Sequence, residues 1–526
     1  MITYIVYMAK LIWNKKPQLD LIKLNNQEFE PLKGVEIIDS PKNNKVKNEE
    51  NFENKSVNKL LSSTKNSKNW INLLIWGDNF SAMRSLLKDF AQKINLIYID
   101  PPFATGGDFN LKIHIGEDNR IKKSTYLNQK AYSDTWREGL DTYLNFMYER
   151  LILMRELLDN NGSIYVHLDW HVSHYLKIIM DEIFGTENFR NEIIWAYPAA
   201  SVKTRNFFIR SYDTILFYTK SGEYVFNDDP NIYMEYSNRV KNALKRDQKG
   251  VYYYRGGSHN GKKLSRKVYV RHDGIFPRDV WNDIPYIRAN TIEYQGFSTQ
   301  KPELLLKRII LASSKENDIV ADFFCGSGTT LVVAEKLKRK WIGCDFAKQA
   351  IHMARKRLLD IYNSNDVINR KNKYKKNCDP FKILYLNPSK IKNVISGEFL
   401  TKIKKDSDNN GDIENPKFNI NIDFQHNKAK IELKNYDIPY LNLIAENIKK
   451  QVMNWTDWID YWSIDFDYHK NIFNNMWVSY RTPKKRELQL NSESYLYTDS
   501  GTHYIQVKVI DILGTETIQT YKIDIK

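Results

Sequence analysis

Between Leu73 and Ile99 the chain reads strand, turn, helix, strand. Leu73-Leu74-Ile75-Trp76 is a short apolar run, Gly77-Asp78-Asn79 a turn, and Phe80 to Phe90 a helix with Met83, Leu86, Leu87 and Phe90 on one face. Ile94-Asn95-Leu96-Ile97-Tyr98-Ile99 is a second apolar run. Runs without alternation belong to strands covered on both faces, and two such strands joined by one helix must lie parallel. This unit commits the chain to an open α/β sheet. The pattern resumes with a helix over Leu140 to Leu158, a strand over Gly162 to Leu168, and a helix over Val172 to Phe184 stopped by Gly185.

A second α/β block follows. Pro302 to Ala312 reads as a helix, opening with Pro302 and Glu303, both favoured in a first turn. Asp318 to Phe324 is a buried strand, followed by Cys325-Gly326-Ser327-Gly328-Thr329-Thr330 and a helix from Leu331 to Leu337. Trp341 to Asp345 is the next strand and Ala350 to Tyr362 the next helix. A strand feeding Gly-x-Gly and a helix lets backbone approach a ligand closely, and an acid ending the next strand can grip a ribose diol. Leu331 stands where a dinucleotide fingerprint has its third glycine, and no Gly-Lys-Ser/Thr loop exists. The pattern therefore points to a nucleoside ligand without a pyrophosphate, although Gly-x-Gly by itself is as often a tight structural turn.

The strand ending at Ile99 stops in Asp100-Pro101-Pro102-Phe103. Two prolines fix φ and remove two N–H donors, leaving carbonyl acceptors with no backbone donor to quench them. A carboxylate, a carbonyl and a flat ring held still suit a planar base bearing an amino group. Taken alone, the four residues read more readily as a plain strand-ending turn.

With 526 residues the chain needs two or three domains, and 42% hydrophobic content supplies their cores. Residues 1–69 read as an N-terminal arm and low-complexity linker, 70–369 as the α/β domain, and 370–526 as a separate β-rich domain. The last shows period-two alternation at Phe418, Ile420, Ile422 and Phe424, at Ile505, Val507 and Val509, and at Tyr521, Ile523 and Ile525 after a turn at Gly514. Its final strands, after Ser500-Gly501-Thr502-His503-Tyr504, are loosely similar to immunoglobulin-like or polycystic-kidney-disease-type sandwiches. A net charge of +16 makes a polyanion the first partner to consider. From Ser237 to His272 eleven Lys or Arg residues face one acid, Asp247, around Tyr252-Tyr253-Tyr254-Arg255, so the stretch is either a nucleic-acid surface or a solvated face. Cys325, Cys344 and Cys378 form no Cys-x-x-Cys pair and fit a reducing, cytoplasmic setting. No apolar run is long enough to cross a bilayer, so no membrane role is expected.

Asp-Pro-Pro-Phe, a basic insertion at about 197–298, Thr299-Gln300-Lys301-Pro302-Glu303 and Asp-Phe-Phe-Cys-Gly-Ser-Gly-Thr-Thr, in that order, resemble the β-class amino-methylating DNA methyltransferases. Gly77-Asp78-Asn79, Ser133-Asp134-Thr135-Trp136, Asn188-Phe189 and Trp281-Asn282-Asp283 support the likeness, which spans Trp70 to Tyr362 and is greatest to modification subunits of type III restriction systems. The resemblance implies a Rossmann-like methyltransferase fold with circularly permuted motifs, a target-recognition insertion, and S-adenosylmethionine as cofactor. It implies methylation of adenine in double-stranded DNA at its exocyclic nitrogen, with a restriction nuclease subunit or a second copy of the chain as conceivable partners.

The same resemblance assigns roles. Asp100 and the Pro101 carbonyl would accept hydrogen bonds from the amine, Pro102 would stiffen the loop, and Phe103 would stack on the flipped base. Asp78, Lys301, Asp322, Phe324, Gly326, Gly328, Thr329 and Asp345 would hold the cofactor, Asp345 at its ribose and Lys301 near its methionine end. The family usually has Tyr where Phe103 stands, which keeps the stacking and loses the hydroxyl. Asp100 favours adenine, while the acceptor chemistry would also serve cytosine. Two other classes stay open: a catalytically silent recognition subunit of a nuclease complex, and a metal-dependent nuclease built on His167, Asp169, His171 and His174. The expectation is that no metal is bound. The cluster Trp455, Asp457, Asp460, Trp462, Asp465 and Asp467 reads as a strand pair with one solvated face.

Overall fold

The computed structural model describes residues 10–13, 16–17, 32–38, 70–116, 126–134, 136, 139–197, 206–259, 262–270, 274–386, 415–444, 446–469 and 471–525. The low-complexity stretch from Ser40 to Asn69 lies outside the described residues.

Eleven strands of the described residues share one sheet: β1 (Leu32–Ile38), β2 (Asn72–Trp76), β3 (Ile94–Ile99), β4 (Leu158–Leu168), β5 (Phe189–Ala196), β6 (Tyr212–Thr219), β7 (Val280–Trp281), β8 (Ile319–Asp322), β9 (Lys340–Asp345), β10 (Phe381–Leu386) and β11 (Ile472–Asn475). Their order is 7-5-6-4-3-8-9-2-10-1-11, and the six central strands from β4 to β10 are mutually parallel. Helices α1 (Asn79–Phe90), α2 (Leu140–Leu157) and α3 (Ser173–Phe184) cover one face. Helices α4 (Glu303–Ser313), α5 (Thr329–Lys336) and α6 (Lys348–Leu359) cover the other. Successive strand residues feed opposite cores, Leu73 and Ile75 toward α1 and Leu74 toward α5 and α6, which is why these runs carry no polar alternation.

From β3 the chain moves outward to β4, while from β8 it moves through α5 to β9 on the opposite side. The loops leaving β3 and β8 therefore diverge, opening a crevice above their carboxyl ends at the point where the winding reverses. Helix α5 starts at Thr329, two residues before the expected Leu331. Gly328 caps it in the left-handed region at φ +75°, and a Cβ there would lie 2.8 Å from the Ala354 Cβ on α6. Backbone conformation and helix packing both demand glycine at that position.

The boundary drawn at residue 370 moves. Phe381–Leu386 is a sheet strand beside β2, β1 from the N-terminal region pairs antiparallel with it, and β11 from the C-terminal region closes that edge. These pairings join residues hundreds of positions apart, so local periodicity carries no trace of them. The remaining C-terminal strands form a four-stranded antiparallel sheet (Trp477–Tyr480, Ile459–Asp465, Gly501–Asp511, Glu516–Ile525) and a three-stranded one (Lys417–Gln425, Lys428–Asp437, Tyr495–Leu496) around one apolar core. Gly514 makes the expected turn. The solvated face expected between Trp455 and Asp467 is buried instead: Ile459–Asp465 is covered on both sides, and Asp460 pairs with Lys356 at 2.5 Å and His352 at 2.8 Å on α6.

One buried carboxylate joins the three parts of the chain. Glu36 on β1 accepts from Arg355 Nη2 on α6 and Lys508 Nζ in the C-terminal sheet, each at 2.9 Å. Burial would raise its carboxyl, but the two cations hold it below the ordinary value of 4.5.

Candidate active site

Asp100 leaves β3 with its carboxylate over the crevice. Its Oδ2 lies 2.5 Å from Lys301 Nζ, and its Oδ1 is buried with no partner in the protein. Lys301 is placed by the segment leading into α4, whose N-cap is Pro302. The loop beyond Phe103 is pinned from one side: buried Asp134 accepts from the Ala104 and Thr105 amides at 2.9 and 2.7 Å, and from Trp136 Nε1 at 3.0 Å. Ala104 adopts φ +55°, a conformation costly for an L-residue and held here by those bonds. Phe103 stacks on His167, with ring centroids 6.3 Å apart and planes inclined by 21°.

His167 is fully buried and bonded to Tyr98 Oη at 2.9 Å and Asp213 Oδ2 at 3.0 Å, while His171 pairs with Asp169. Of the four residues weighed as a rival metal site, His167 is taken up by Tyr98 and Asp213, Asp169 and His171 are paired with each other, and His174 stands in the first turn of α3. Among the described residues, the group with metal-ligand character lies elsewhere, at Asp467, His469 and His503 in the C-terminal domain.

Beside Asp100 a cavity of about 340 Å³ runs along the carboxyl ends of β3, β8, β9 and β2. Seven of the eight residues expected to hold a cofactor line it: Asp78, Lys301, Asp322, Phe324, Gly326, Thr329 and Asp345. The eighth, Gly328, is turned to α6. Asp100 and Pro102 also line it, whereas Pro101 and Phe103 do not. Asp345 ends β9 and accepts from the Gly326 amide at 2.8 Å and the Ala347 amide at 2.9 Å, so it closes the Gly-x-Gly loop onto its own strand. Burial pushes Asp345 up to about 6 and Asp322 up to about 7.

The turn after β2 braces the opposite wall. Asp78 caps α1 and pairs with Arg150 Nη2 at 2.7 Å, and Asn79 donates to the Phe323 carbonyl at 2.9 Å. Trp136, Phe146, Phe297 and Phe346 complete the apolar lining. Trp136 stands in a stretch the sequence singled out, but Phe146 and Phe297 carried no signal: each is one aromatic among many, brought to the cavity by α2 and by the end of the insertion.

The lining holds four carboxylates, Asp78, Asp100, Asp322 and Asp345, against one cation, Lys301, among the described residues. Asp78 is offset by Arg150 and Asp100 by Lys301, so the negative charge of the wall rests on Asp322 and Asp345 and grows as they ionise, which suits a ligand with positive charge, a diol and a flat ring. Sheet, switch point and an acidic cavity at the carboxyl ends of the strands define the Rossmann-like methyltransferase class, here with the Asp-Pro-Pro-Phe strand preceding the Gly-x-Gly strand. Residues 94–356, half of the chain, match the N6/N4 methyltransferase family model, described as DNA methylase, and the protein belongs to that family. The type II methyltransferase M.EcaI of Enterobacter cloacae is 34% identical over 317 residues, 52% of this chain and 66% of its own. The DNA adenine methyltransferase YhdJ of Escherichia coli K12 is 30% identical over 286 residues, 54% of this chain and 82% of YhdJ. The StyLTI Mod subunit of a type III restriction-modification enzyme, from Salmonella typhimurium LT2, is 28% identical over 324 residues, and the match spans half of each chain.

Proposed function

We propose that the protein is a site-specific DNA methyltransferase that uses S-adenosylmethionine to methylate the exocyclic amine of adenine. The observation that carries this reading is the half-used carboxylate of Asp100: one oxygen is fixed by Lys301 and the other is buried and unpaired at the rim of the cofactor cavity. An aromatic amine is a poor nucleophile because its lone pair is delocalised into the ring. Asp100 Oδ1 and the Pro101 carbonyl, accepting its two hydrogens, favour a pyramidal nitrogen with an available lone pair. Lys301 fixes the rotamer of Asp100 by holding its Oδ2, so Asp100 acts as a fixed acceptor more than as a general base. Phe103, backed by His167, offers the face on which an extruded base stacks.

Asp345 and the Gly326 loop fit the ribose of the cofactor, the aromatic walls its adenine, and the net negative lining its positive charge. S-adenosylmethionine supplies an electrophilic methyl group on a sulfonium. The assignment to adenine rests on Asp100 and on the likeness to YhdJ. The likeness to StyLTI Mod supports a place in restriction-modification, with a nuclease subunit as partner.

Methyl transfer from labelled S-adenosylmethionine to plasmid DNA, followed by methylation-sensitive sequencing, tests the reading. Methyladenine in one sequence context is the expected result. Methylcytosine would reassign the base. DNA binding without transfer would make the chain a recognition subunit.

A further inference from the structure

A second aromatic group stands beside the base site and has no role in the chemistry above. β4 ends at Leu168 with Trp170-His171 just beyond it, and Phe207-Phe208-Ile209-Arg210 lead into β6. β6 runs antiparallel to β4 with Thr214 opposite Leu168, so both segments leave the sheet at the edge that carries Asp100 and Phe103. Phe208 is 99% exposed and Phe207 59%, with Ile209, Tyr212 and Trp170 also exposed. The Arg210 guanidinium lies 3.8 Å over the Trp170 ring and 5.4 Å from that of Phe207. Three residues beyond Arg210, Asp213 binds His167, the same ring that backs Phe103.

Exposed aromatics in one contiguous patch mark a contact surface, and a cation held among them favours a polyanion. Continuity with the base site selects the occupant. Extruding a base costs a few kcal/mol of unpairing and unstacking, and an apolar wedge that enters the vacated step offsets part of it. We propose that Phe207 and Phe208 enter the duplex where the target adenine leaves it, while Arg210, held on Trp170, binds the adjoining phosphate. This rests on the DNA-methylation reading.

The test compares wild type with Phe207→Ala/Phe208→Ala on two duplexes bearing the methylated motif, one fully paired and one with an abasic site opposite the target. The double variant is expected to lose roughly tenfold or more in kcat/KM on the paired duplex, in line with an unstacking cost of a few kcal/mol, and to recover on the duplex with the abasic site. With 2-aminopurine at the target position, wild type is expected to raise the emission on binding and the variant to fail, with Phe208→Trp restoring it. Equal losses on both duplexes, unchanged emission, or an altered oligomeric state with paired-duplex activity intact would overturn the wedge. A wild type that transfers no methyl group to either duplex sinks the enzymatic reading instead, and the emission comparison still decides the wedge.

Discussion

Lys301 Nζ sits 2.5 Å from Asp100 Oδ2, and the other carboxylate oxygen has no partner in the protein. The pair divides one side chain into a fixed half and an available half. Asp100→Ala removes the acceptor and is expected to lower methyl transfer by at least about 100-fold, the scale of removing one charge-stabilising hydrogen bond in a protected site. Cofactor affinity, read by calorimetry, should change little. Full activity in this variant would end the mechanism. Lys301→Met should lower transfer as well, through a carboxylate left without its counter-ion.

In the proposed function, Asp345 serves a different step. Its two backbone acceptor bonds hold the Gly326 loop and its charge faces the cavity. Asp345→Ala is expected to weaken cofactor binding by roughly 10- to 100-fold, about 1.5–3 kcal/mol, as for a missing hydrogen bond to a charged group. The salt dependence of DNA binding should be that of wild type.

Burial raises Asp345 to about 6 and Asp322 to about 7. A folded-state value above the ordinary one means that the native state holds protons the unfolded chain has released. These two groups therefore lower stability as pH rises from the ordinary carboxylate value through 6 to 7. A cationic ligand prefers the ionised carboxylates and reverses that loss. Cofactor affinity should rise as pH increases across the window from 6 to 7 and then level off, and the ligand-induced shift in Tm should grow in the same direction. A flat affinity profile would show that neither acid faces the charge.

The basic stretch in the insertion folds as a three-stranded antiparallel sheet over Lys245–Asp247, Gly250–His259 and Lys262–Tyr269. Lys267 is engaged with Asp247 and lies 3.8 Å over the Tyr252 ring, so it is partly neutralised. Lys245, Arg246, Lys249, Arg255 and Arg266 are exposed or nearly so. Replacing Arg246, Lys249, Arg255 and Arg266 with Ser should flatten the dependence of log K on log salt by about 0.9 for each phosphate that is no longer neutralised. An unchanged slope would remove this sheet from the DNA interface.

Much of the site was legible because parallel strands put their carboxyl ends at one edge. Asp100 and Asp345 end two apolar runs, so once the runs are read as parallel strands of one sheet the two acids must converge. Asp322 was read inside a strand over Asp318 to Phe324 and reaches the same edge because that strand stops at Asp322. Asp134 was singled out only as part of a motif, and its work as the clamp on Ala104 and Thr105 depends on the antiparallel pairing of Asp108–His114 with Tyr126–Ser133, which no local pattern announces. Phe146 and Phe297 were silent for the same reason, since a wall residue needs only to be apolar and its address is set by tertiary packing. Strands β10 and β1 and the edge strand β11 escaped because strand pairing at long separation leaves no period in the sequence.

The last expectation concerns that edge. Glu36→Ala would leave Arg355 and Lys508 buried without their shared carboxylate, although Lys508 keeps Glu516 at 3.2 Å. Breaking a buried ionic group from one side costs about 3–5 kcal/mol, because the stranded charge keeps its desolvation penalty. The loss should appear in chemical denaturation, where the C-terminal strands and the α/β sheet unfold in one transition in wild type and in two in the variant. Glu36 is held below its ordinary value of 4.5, so its contribution is present above that pH and fades as pH falls through the depressed folded value. Glu36→Ala should accordingly show its largest deficit near neutrality and a shrinking one in acid. Glu36→Leu combined with Arg355→Met, which removes the stranded guanidinium as well as the carboxylate, should recover much of the stability, and a failure to recover would mean that packing around the pair matters more than its charge.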